Sequence, residues 1–105
     1  MNISLASNAS QEVPTHTIST STLEIITEAV SELRTEIGTV PLPVHRVALQ
    51  ARSGRVEITL ADLRAALAIT GPTWWDAMER DLPEAQAWCS VNTFIGEALH
   101  ERFGR

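Results

Sequence analysis

Leu23, Ile26, Val30, Leu33 and Ile37 recur every three or four residues, so the segment from Ser21 to Ile37 must present one apolar stripe of a helix to a covering layer. Ser21 with Glu24 supplies a capping box at its start, and Gly38 followed by Pro41 supplies a stop. The opposite side carries Glu24, Glu28, Glu32 and Glu36, four carboxylates on one ridge that repel by a few tenths of a kcal/mol per pair. Glu36 also lies at the unfavourable end of the helix dipole. Such a ridge is either a solvated face or a docking ridge for a basic partner. One carboxylate per roughly 6 Å of axis is much sparser than duplex phosphate, which weakens a nucleic-acid mimic.

Residues 1–20 are rich in Ser, Thr and Asn and hold no sustained apolar period, so they read as a disordered tail, with His16 in it doing nothing specific. The remaining 21–105 form one domain, long enough for a modest core without staples. Cys89, the single cysteine, excludes an intramolecular disulfide and fits a reducing compartment. Neither a secretory leader pattern nor a membrane-length apolar run occurs, which gives a cytoplasmic reading with no membrane partner.

All eight basic residues are arginine, the usage of a GC-rich genome, and the net charge is −5. Only the stretch 41–58 is positive, with Arg46, Arg52 and Arg55 against Glu57. This stretch also carries a hairpin signal. With Ser53 and Gly54 as a two-residue turn, Arg52 faces Arg55, Ala51 faces Val56, Leu49 faces Ile58 and Val47 faces Leu60, so the apolar residues fall on one side. The Arg52 and Arg55 tip is then a candidate phosphate or carboxylate contact, and His45 enters the first strand as a surface or packing residue.

Three further helices are expected, opened by Thr59 with Asp62, Thr73 with Asp76, and Asp81 with Glu84, the last with Pro83 in its first turn. The final helix presents Trp88, Val91, Phe94, Ile95, Ala98 and Leu99 as a wide apolar face. The expected fold is therefore α+β: mainly helical, four helices with one two-stranded antiparallel β-hairpin, whose apolar side the helices cover.

The run from Leu63 to Met78 resembles the helix-turn-helix superfamily. Leu67, Ala68 and Ile69 match that family's apolar, small, apolar corner, and Trp74 and Ala77 match the inward positions of its second helix. Arg64 departs from the pattern, standing where the family packs an alanine. The resemblance implies a helix-turn-helix-like unit at 60–81 and a small, non-enzymatic DNA-binding regulator, acting as a homodimer. Its contacts would come from Thr70, Thr73 and Arg80, helped by Arg52 and Arg55. The outward acids Asp76 and Glu79, and the acidity of the whole chain, oppose that use. The alternative is an acidic protein-interaction or inhibitor module of an accessory or bacteriophage type, binding a protein through Trp75 or through the ridge Glu24, Glu28, Glu32 and Glu36.

Catalytic patterns are missing. Glu97 and His100 stand one turn apart without the second pair and further carboxylates that di-metal bundles need, and Cys89 is three turns from His100, out of reach as a nucleophile and base. No phosphate loop, nucleophile elbow or zinc spacing occurs, so neither enzymatic activity nor a cofactor is expected.

Overall fold

The computed structural model describes residues 16–104. They form four helices: α1, Thr20–Ile37; α2, Leu42–Arg52; α3, Leu60–Glu79; and α4, Ala85–Phe103. Each helix packs on two others, α1 on α2 and α4, and α3 on α2 and α4. The core they enclose is aliphatic, centred on Leu33, Val44, Val47, Ile58, Leu63 and Ile95, with Trp88 as its largest ring.

The first helix forms on the stripe read from the sequence, but its N-cap lies two residues before Ser21. Ser19 is the N-cap, its Oγ accepting the Thr22 N–H at 3.2 Å. The carboxylate that completes a capping box comes not from Glu24 but from Glu101 of α4. Glu101 Oε1 accepts the Ser19 N–H at 2.8 Å and Oε2 accepts the Thr22 hydroxyl at 2.6 Å. The expected tail, residues 1–20, lies outside the described residues over 1–15. Of the rest, Ile18 is buried in the core, its N–H donating to the Val56 carbonyl at 3.3 Å, and the His16 N–H donates to the Arg102 carbonyl at 3.3 Å. At the other end of α1, Glu32 and Glu36 share a groove with Pro83, Gln86 and Ser90 at the start of α4.

The expected β-hairpin does not form. No strand occurs among the described residues, and Leu42–Arg52 is helix, so the fold is all-helical rather than α+β. Val44, Val47, Ala48 and Ala51 are buried at helical spacing, while Leu49, required inside by the hairpin register, is 46% exposed. Pro41 caps the start and Pro43 sits in the first turn, where the missing N–H costs nothing. Gly54 ends the helix rather than turning a hairpin: at φ 79° it lets the Arg55 N–H reach the Gln50 carbonyl at 2.9 Å and its own N–H reach that of Ala51 at 3.0 Å. These two bonds make a Schellman motif.

The three helices expected after Thr59 are two. Thr59 does cap α3, accepting the Asp62 N–H at 3.2 Å, but the helix runs unbroken through Gly71, Pro72 and Thr73 to Glu79. Thr73 with Asp76 therefore caps nothing, and the turn of a helix-turn-helix is not present at 69–73. Pro72 withdraws one donor from the ladder and so frees the Ala68 carbonyl, but both residues lie on the exposed side of the helix. The inner side is held throughout by Leu63, Ala66, Thr70 and Ala77, all buried. Asp81 with Glu84 also does not form a box. Asp81 sits at φ 54° as the turn residue of a second Schellman motif, with the Leu82 N–H on the Ala77 carbonyl at 2.9 Å, and Glu84 caps α4 without a side-chain bond. No helix among the described residues is long and apolar enough to cross a membrane.

Candidate functional site

A continuous α3 of 20 residues, about 30 Å long, has two opposite faces. One is the buried row just described. Facing away from the bundle are Ala61, Ala65, Ala68, Pro72 and Trp75, spaced alternately four and three residues apart and all exposed. This is the spacing of a coiled-coil seam, and none of the described helices covers it. Four of the five are small, so another backbone can approach closely. The fifth, Trp75, is 54% exposed, with Met78 exposed one turn on. Trp74 is half-buried and packs against the core, its ring edge-on to Trp75 with centroids 6.3 Å apart. It fixes one side of Trp75 and leaves the rest open.

The expected nucleic-acid residues do not assemble. Thr70, read as outward, is fully buried, its hydroxyl donating to Asn92 Oδ1 at 2.7 Å across the α3–α4 contact. Thr73 is half-buried. Arg80 ends α3 and pairs with Asp76 at 3.4 Å. Arg52 and Arg55 are exposed where α2 passes to α3, beside the opposite end of that helix. Glu24, Glu28, Glu32 and Glu36 are all exposed on α1, as a solvated or docking ridge requires.

Near the start of α3, Asp62 accepts from Gln50 Nε2 at 3.0 Å and lies 4.0 Å from Arg46. The Gln50 hydrogen bond, aided by Thr59 and by Arg46 and Arg55 against partial desolvation, holds this carboxyl below its ordinary range. Glu101 is also held low: desolvation pushes it up but is outweighed by the Ser19 and Thr22 hydrogen bonds and the nearby His100. Both carboxylates fasten helix starts. Cys89 is free and half-buried, and no group of three His, Cys, Asp or Glu residues that could hold a metal occurs among the described residues.

The apolar row was missed in the sequence because it exists only if α3 is unbroken, and Gly71-Pro72 read as a break. Its spacing was the available signal. No protein-family model, curated protein or solved structure matches this chain.

Proposed function

We propose that this chain is a small protein-binding module that takes a helical segment of a partner protein on the outer face of α3, with Trp75 as the anchor. The observation that carries this reading is the exposed row Ala61, Ala65, Ala68, Pro72 and Trp75. Small residues along a seam admit a partner helix at short interaxial distance, and one large ring at its end supplies the buried aromatic that dominates typical interfaces. The exposed Glu79 near Trp75 favours a partner helix with a basic flank.

A photo-crosslinking residue at Ala68, compared with one at Ser31 on the exposed side of α1, tests this in cells. Adducts specific to position 68 that vanish with Trp75→Ala are expected. Identical adducts from both positions, or adducts indifferent to Trp75→Ala, would remove the proposal.

The DNA-binding regulator is the second reading. It is favoured by Arg52, Arg55 and Arg64, which are exposed and have no carboxylate partner within 4.0 Å among the described residues. Duplex binding in low salt, where counterion release is largest, is its test, and absence of binding there ends it.

A further inference from the structure

An open cavity of about 520 Å³ lies where α1 turns into α2, lined by Arg34, Gly38, Thr39, Val40, Leu42 and His45. We propose that it is a binding site for an aliphatic carboxylate. Arg34 is half-buried in the last turn of α1, and no carboxylate lies within 4.0 Å of it among the described residues, although four glutamates share its helix. Its hydrogen-bond partner is instead the ring of His45, with Nη2 3.1 Å from Nδ1. A guanidinium can only donate, so Nδ1 is the acceptor and the ring proton is on Nε2.

The arrangement orients the guanidinium without neutralising it. Among the described residues most of its donors stay free, in the planar fork that takes both oxygens of a carboxylate. Beside it the aliphatic wall is made by Val40, which is buried, and Leu42, which stands at the rim 63% exposed, the most exposed large apolar side chain among the described residues. A permanent cation in an apolar cleft of this size selects a ligand with an acid head and a short hydrocarbon body. Two sources share that chemistry: a free aliphatic acid, and the terminal carboxylate of a peptide ending in an apolar residue. The site lies apart from the α3 row and does not depend on the function proposed for it.

The test is a titration of the isotope-labelled full chain, following backbone amide resonances, with hexanoate, N-acetyl-leucine, N-acetyl-leucinamide and acetate. Hexanoate and N-acetyl-leucine should each move Gly38, Thr39, Leu42 and His45 saturably, and the tighter of the two identifies the source. The neutral amide should bind at least roughly tenfold more weakly for want of the charged fork, and acetate roughly tenfold more weakly for want of the chain. Arg34→Met should abolish the response, and Arg34→Lys should only weaken it. Leu42→Glu, at a rim position too exposed to affect folding, should weaken it by placing a like charge at the mouth. No saturable shift with either acid, equal binding of the amide or of acetate, or an undiminished response in Arg34→Met or Leu42→Glu would overturn the site.

Discussion

Glu101 and Ser19, 82 residues apart in sequence, share a hydrogen bond of 2.8 Å in which a carboxylate near the end of the last helix caps the start of the first. Desolvation opposes the charge, but the Ser19 and Thr22 bonds prevail and hold the carboxyl below its ordinary 4.5. A carboxylate depressed in the folded state stabilises the fold fully above the unfolded value and loses that contribution as pH falls through the folded one. Stability should therefore decline as pH drops below 4.5, and Asp62, depressed in the same direction from 3.8, should extend the decline. Glu101→Gln should cost about 1–2 kcal/mol at neutral pH and flatten the acid limb, as read by urea unfolding at several pH values. An unchanged acid limb would show that the bond contributes nothing.

Two Schellman turns make opposite predictions. Gly54 holds φ 79° with open space where a Cβ would go, so Gly54→Ala should cost about 1 kcal/mol from backbone strain alone. Asp81 holds φ 54°, and Asp81→Gly should raise stability by up to about 1 kcal/mol. Thermal melts of the two variants should move in opposite directions.

Thr70 donates to Asn92 at 2.7 Å in the middle of the α3–α4 contact. Thr70→Val keeps the shape and removes the donor, and should destabilise by about 1 kcal/mol, while Thr70→Ala should cost more by leaving a void. Chemical denaturation of the pair separates the hydrogen bond from the packing.

Trp75→Ala should leave stability within about 0.5 kcal/mol of the native chain, because the ring is 54% exposed. Trp88→Ala should cost about 3–5 kcal/mol, since Trp88 fills the core between helices. If Trp75→Ala unfolds the protein, the ring supports the fold rather than a partner.

The stripe from Leu23 to Ile37 was legible because no strand register accommodates it, and the face of α4 was legible for the same reason. Residues 47–60 were not. Val47 and Ala51 fit both a strand and a helix, and Gly54 supplies the positive φ that a hairpin turn and a Schellman motif equally demand. What decides between them is the burial of Val44 and Ala48 together with the exposure of Leu49, a property of the assembled bundle. The expected break at Gly71-Pro72 failed because the helix is held on both sides of it, by Thr70, buried and bonded to Asn92 of α4, and by Ala77, buried in the core. The outward direction of Trp75 followed from its one-residue step past Trp74. The pairing of Arg34 with His45 did not, since it needs α2 to be a helix folded back on α1.

The cap on α1 has a consequence for synthesis. As the chain leaves the ribosome, α1 emerges first, but the carboxylate that receives its Ser19 and Thr22 donors is made 79 residues after Thr22. The contact of α1 with α4 must likewise wait for the last helix. The start of α1 therefore closes only once Glu101 has been made, and a nascent chain halted before Glu101 carries an α1 with a frayed beginning and its stripe covered only on the α2 side.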